Sequence, residues 1–125
     1  VRPENVFWGY CDPARKPVAK MASGDEVLLH ALPACDPPDL PPEGKGTVLP
    51  AHLRAMEFHK DDKGPGPHMV TGPIYVEGAM PGDVLQVDIL DAAPAQDWGF
   101  TAIMPLHGSL PDGMTSYERL HIAFD

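Results

Sequence analysis

The stretch Ala79-Met80-Pro81-Gly82-Asp83-Val84-Leu85-Gln86-Val87-Asp88-Ile89-Leu90 decides how this chain is read. Pro-Gly-Asp is turn chemistry, because glycine tolerates positive φ and aspartate accepts hydrogen bonds from its own backbone. The residues after it alternate, with Val87 and Ile89 set against Gln86, Asp88 and Leu90, which predicts a strand with one buried face. The same device occurs 58 residues earlier, where Ser23-Gly24-Asp25 precedes the apolar run Val27-Leu28-Leu29-His30-Ala31-Leu32. Two Gly-Asp turns, each leading into an apolar run, hint at an internal β-rich duplication.

Around these two points the chain is punctuated by proline. Its 125 residues hold 16 Pro and 12 Gly. Proline lacks a backbone donor and breaks helices and central strands, so short strands joined by ordered loops are favoured over a bundle of long helices. Pro33 to Pro50 reads as an ordered or extended loop. Ala51 to Phe58 is the one short helix expected, with Leu53, Met56 and Phe58 facing inward. Lys60 to Pro67 is a charged Gly/Pro loop, Pro73 to Glu77 a short strand, and Leu120 to Asp125 a cleanly alternating one. The expected fold is one mainly β domain over residues 1–125, a sandwich or distorted barrel of short strands with long Pro/Gly-rich loops.

Size and charge bound the partners. A chain of this length buries roughly two-thirds of its unfolded surface on folding, enough for a real core. Formal net charge is −9. That field repels a phosphate backbone or an anionic bilayer, so neither nucleic acid nor membrane is expected as a partner. No apolar run reaches the length of a bilayer span. Cys11 and Cys35 are read as free thiols in a reducing, cytoplasmic setting rather than as a secreted disulfide framework.

Three segments together resemble the acetamidase/formamidase family. The first is Trp8-Gly9-Tyr10-Cys11-Asp12, followed by Lys16-Pro17-Val18 and Ser23-Gly24-Asp25. The second, and the most specific, runs from Gly64-Pro65-Gly66-Pro67-His68 through Thr71-Gly72-Pro73-Ile74-Tyr75-Val76-Glu77-Gly78-Ala79 to Pro81-Gly82-Asp83-Val84-Leu85. The third is Gln96-Asp97-Trp98-Gly99, with Leu120-His121-Ile122 further on. The family often carries a His before its Trp-Gly, where this chain has Phe7. Its members are also much longer, and their carboxy-terminal segments that line the site have no counterpart here. The resemblance implies an amidohydrolase of short linear amides, formamide and acetamide among them, and casts this chain as the amino-terminal part of such an enzyme.

Amide hydrolysis needs a nucleophile or activated water, a proton donor for the leaving amine and stabilisation of a developing oxyanion. Glu77 ends an apolar strand and suits a general base or nucleophile. His68 follows a backbone-fixing Pro-Gly-Pro and can orient, protonate or bind metal. Asp97 beside Trp98 can orient an imidazole or bind metal. Each has a plainer alternative: a strand-end carboxylate for Glu77, a loop histidine bonded to a carbonyl for His68, and an aspartate capping its own backbone for Asp97. Trp8, Tyr75 and Trp98 are candidate walls of a small dry pocket, with core filling as their alternative. A divalent metal such as zinc or calcium, held by His68 and Asp97, is one expectation for the assembled enzyme. His52, His59 and His68 are too widely spaced for a compact zinc motif. The competing function is a non-catalytic β-sandwich subunit or fragment. A cupredoxin-like version is disfavoured because both cysteines lie early, far from His107 and His121. An incomplete half leaves apolar surface and sheet edges open, so homo-oligomerisation or association with a carboxy-terminal companion chain is expected.

Overall fold

The computed structural model describes residues 1–124. Six short strands and one α-helix form in chain order: β1 (Val6–Trp8), β2 (Ala19–Met21), α1 (Pro50–His59), β3 (Met69–Thr71), β4 (Ile74–Val76), β5 (Trp98–Ile103) and β6 (Glu118–Ala123). The strands pair into three two-stranded sheets: β1 antiparallel to β3, β2 parallel to β4, and β5 antiparallel to β6. The fold is β-rich as expected, but the described strands close no barrel.

The core gathers where β1, β3, α1 and the start of β5 meet. Val6, Trp8, Leu32, Cys35, Ala55, Met56, Met69 and Trp98 form one buried cluster, with Leu40, Val48 and Phe100 packed against it. The proline-rich loop contributes Leu32, Cys35 and Leu40 to this core, so it is ordered as expected. It is stiffened by a 3-10 turn at Pro37–Asp39, where Asp36 and Asp39 form a reciprocal capping box.

Helix α1 appears within one residue of its expected ends, opened by Pro50 at its first position, where the missing N–H costs nothing. Its buried face is different. His52, Ala55, Met56 and His59 are inside, while Leu53 and Phe58 are 47% and 60% exposed. The inward stripe follows i, i+3, i+4, i+7 spacing, but two histidines occupy it. Three of their four ring nitrogens find partners there, and His52 Nδ1 is buried without one among the described residues. The two His59 ring nitrogens lie 2.9 Å from the Pro3 carbonyl oxygen and 3.0 Å from Asp62 Oδ1, and His52 Nε2 lies 3.7 Å from Cys35 Sγ.

The two runs that follow the Gly-Asp turns are not strands. Both turns form, with Asp25 accepting from the Ala22 N–H and Asp83 from the Met80 N–H, each at 2.8 Å. Yet neither 26–32 nor 84–90 adopts regular structure. A strand exists only through a ladder to a neighbour. Residues 84–96 make no main-chain hydrogen bond to another main chain among the described residues. Val87, Ile89 and Leu90 are 71%, 81% and 70% exposed, so the alternation buries neither face. In the strand expected at Leu120–Asp125, β6 accounts for the residues through Ala123; Asp125 lies outside the described residues. No helix is long and apolar enough to cross a membrane among the described residues.

Candidate active site

Glu77 follows β4 directly, and its N–H donates to the Met21 carbonyl at 2.8 Å. This bond extends the β2–β4 ladder by one residue and fixes where the side chain emerges. The register places Lys20 opposite Tyr75. From there the Lys20 ammonium pairs with the Glu77 carboxylate and lies 5.8 Å from the Tyr75 ring centroid. Glu77, Lys20 and Tyr75 thus form an exposed acid–base–aromatic group at one end of the parallel pair. Lys20 carries no motif of its own in the sequence. Its place emerges only from a pairing between residues 55 apart in the chain.

His68 sits on the loop entering β3, and that loop is pinned to β1. Gly64 N–H donates to the Trp8 carbonyl at 2.8 Å, Gly66 N–H to Gly9 at 3.1 Å, and Gly9 N–H to the His68 carbonyl at 2.8 Å. The Trp8 indole N–H donates to the Pro67 carbonyl at 3.1 Å. Glycine is required in this contact: a Cβ on Gly9 would lie 2.6 Å from the Gly64 carbonyl oxygen, at a φ of +89°. The His68 side chain is exposed and makes no hydrogen bond among the described residues.

Asp97 precedes β5 and is committed to Thr47. Its carboxylate accepts from the Thr47 N–H at 2.8 Å and from the Thr47 hydroxyl at 3.0 Å. These bonds, the main-chain one foremost, hold its pKa below the ordinary aspartate value. Trp98 next to it is buried and donates its indole N–H to the Thr47 carbonyl at 3.0 Å. Trp8 and Trp98 therefore both fill the core, and Tyr75 is half exposed.

No hydrogen bond or ion pair links Glu77, His68 and Asp97 to one another among the described residues. Nor do any three His, Cys, Asp or Glu side chains gather there into a group able to hold a metal ion. Asp97 has both oxygens engaged by Thr47, and His68 stands on a different loop.

Two groupings escaped the sequence. Asp39 Oδ1 accepts from the Tyr117 hydroxyl at 3.0 Å and lies 3.2 Å from Arg119 Nη1. His121 Nε2 lies 3.0 Å from the Asp39 carbonyl oxygen. The hydrogen bond to Asp39 raises the Tyr117 pKa. Tyr117, Arg119 and His121 line an open cavity of about 410 Å³ with Pro38, Leu40 and Pro42. Their i, i+2, i+4 spacing puts them on one face of the β6 segment, and that spacing was the available signal. The donors are spent on Asp39, so the group fastens the proline loop to β6.

The second grouping is the buried pair Cys35 and His52. Burial first, then the charges of Asp39 and Asp36, push the Cys35 thiol up to about 12, and burial lowers the His52 pKa. Both are neutral at pH 7, so this cysteine is no thiolate nucleophile. Both cysteines are free thiols, as expected, with Cys11 exposed.

Residues 62–119 match the Acetamidase/Formamidase family. An acetamidase of Mycolicibacterium smegmatis is 49% identical over a stretch covering 29% of this chain and 11% of its own length. A formamidase of Methylophilus methylotrophus is 53% identical over 29% of this chain and 9% of its own length. The matched stretches thus span about a tenth of these relatives. No solved structure matches the chain. The stretch that matches the family, from 62 to 119, holds His68, Glu77 and Asp97 together with the Pro-Gly-Pro-His and Pro-Gly-Asp blocks.

Proposed function

We propose that this chain is part of an amidohydrolase that cleaves short linear amides, formamide and acetamide among them, to a carboxylate and ammonia. The observation that carries this is the family match over residues 62–119, because it encloses Glu77 and the strand that presents it. In this proposal Glu77 acts as general base, taking a proton from the water that attacks the amide carbon, or as nucleophile, forming an acyl anhydride that water then hydrolyses. Lys20, already against its carboxylate, supplies positive charge for the developing oxyanion. His68, on its pinned loop, passes a proton to the leaving amine. Asp97 is a positioning residue that holds the Thr47 loop to β5. The short sheets are taken as parts of the sandwich expected for the assembled enzyme.

Ammonia release from formamide and acetamide, with and without a chelator, tests the proposal. The expected result is release that falls by about 10²-fold or more in Glu77→Gln, the scale of a lost general base. Release unchanged in Glu77→Gln removes Glu77 from the chemistry. A second reading, a non-catalytic part that needs a partner chain, is favoured by the exposed apolar run at 84–90. Absence of ammonia from the chain alone selects it.

A further inference from the structure

His59 closes helix α1 with both of its ring nitrogens against acceptors. Nε2 lies 2.9 Å from the Pro3 carbonyl oxygen and Nδ1 lies 3.0 Å from Asp62 Oδ1. A carbonyl oxygen cannot donate, and neither can an ionised carboxylate. Arg15 Nη2 lies 4.0 Å from the other Asp62 oxygen, so that carboxylate has a cation on its far side. A neutral imidazole carries one N–H and one lone pair. It can serve one of these two partners and must turn a lone pair on the other. Only the doubly protonated ring serves both.

The ring is 2% exposed, so water does not stand in for a lost partner. It is the last residue of α1, where the negative end of the helix dipole suits a positive charge. What it grips is the entry to β1. The Pro3 carbonyl also accepts the Val6 N–H that ends the 3-10 turn Pro3–Asn5, and Val6 opens β1. Few other charged groups surround the ring. On the turn, Glu4 is exposed, and β1 holds no titratable residue. On and after α1, Arg54 and Asp61 are exposed, and Glu57 pairs with Lys60. His52 lies on the same buried face, seven residues earlier.

We propose that His59 is a proton-operated latch on the Pro3 turn. The doubly protonated ring straps that turn and Asp62 to the end of α1. When the ring loses a proton, the remaining N–H stays on the charged Asp62, the stronger partner. A bare Nε2 then faces the Pro3 carbonyl, and the entry to β1 is let go. The latch is closed on the acid side of the ring's own titration and open on the alkaline side. Protonation of His52, whose pKa burial lowers, works against folding, so the two histidines are told apart by sign. This stands on hydrogen-bond geometry and burial, and is independent of the amidase reading.

The test follows the whole chain by NMR across the titration of the His59 ring. Amide exchange at Asn5 and Val6, corrected for the intrinsic rate, should quicken by about tenfold or more as the ring loses its proton, the scale of a lost charge-assisted hydrogen bond. The β5–β6 ladder should keep its protection. Ring nitrogen shifts should show two protonated nitrogens in the slowly exchanging state. Asp62→Asn is the sharper variant, and the Asp62 side chain is 55% exposed, so the fold should tolerate the change. The new amide can donate to a bare Nδ1 while Nε2–H stays on Pro3. A neutral ring then serves both partners, and the pH dependence at Val6 should vanish. Unchanged protection at Val6 across the titration would overturn the proposal, as would undiminished pH dependence in Asp62→Asn. So would a slowly exchanging state with one protonated ring nitrogen, since a protonated Asp62 would then be the donor. Loss of protection in the β5–β6 ladder together with Val6 would mean unfolding and not a local latch.

Discussion

Trp98 and Ile89 lie nine positions apart, in regions of opposite character. Trp98 is 1% exposed, bonded to Thr47 and packed in the cluster shared by β1, β3 and α1. Ile89 is 81% exposed in a run without a main-chain partner. Hydrophobicity alone does not separate the two, since both stretches are apolar. What separates them is whether another part of the chain returns to cover them. The Thr47 loop, held by Asp97, does so for Trp98, and no described element does so for 84–90.

Substitutions can break this contrast. Trp8→Ala and Trp98→Ala should each lower unfolding free energy by about 3–5 kcal/mol, measured by urea titration. Gly9→Ala should cost at least about 1–2 kcal/mol, because it forces a side chain into the left-handed region and against the Gly64 carbonyl. At the other extreme, Ile89→Lys should stay within about 0.5 kcal/mol of the parent. A large loss in Ile89→Lys would mean that the run is covered after all.

Between these lies a pH effect belonging to the core alone. The folded-state pKa of His52 is lowered, so its contribution is present above the unfolded value and lost as pH falls. Below about pH 6.5 the unfolded chain takes up a proton that the native state refuses, and stability should fall by up to about 1.4 kcal/mol per pH unit. Cys35 acts at the opposite end. Its folded pKa is raised to about 12, so its contribution is present below the unfolded thiol value and lost as pH rises from about 8.5 toward 12. Melting temperature against pH should therefore be highest between about 6.5 and 8.5, and Cys35→Ala should flatten the alkaline side. The smallest effect is kinetic. A thiol reagent should modify Cys11 at once and Cys35 only on unfolding, and rapid reaction of both would show that the core opens.

The sequence made local features legible. The Gly-Asp turns, the helix at 50–59 and the strand β6 depend on neighbouring residues and appear as expected, although in β6 it is Arg119 and His121, not Leu120 and Ile122, that are half-buried. Features set by distant partners were not legible. Lys20 reaches Glu77 through a parallel pairing that no local pattern encodes. Two histidines displaced Leu53 and Phe58 from the inner face of α1 because Pro3, Asp62 and Cys35 lie there to receive them. The runs at 27–32 and 84–90 have the composition of strands, yet composition supplies no partner. At the candidate site, the positions of Glu77, His68 and Asp97 could be named from the resemblance, but the commitment of Asp97 to Thr47 could not.

The pairing of β1 with β3 also sets the order in which the protein takes shape during synthesis. Trp8 must wait for Met69, its register partner, and at roughly 5–20 residues per second that delay is on the order of 3–12 s. Throughout it the apolar triplet Val6-Phe7-Trp8 is made but unpaired, and a nascent chain in that condition is a natural client for a chaperone at the ribosome.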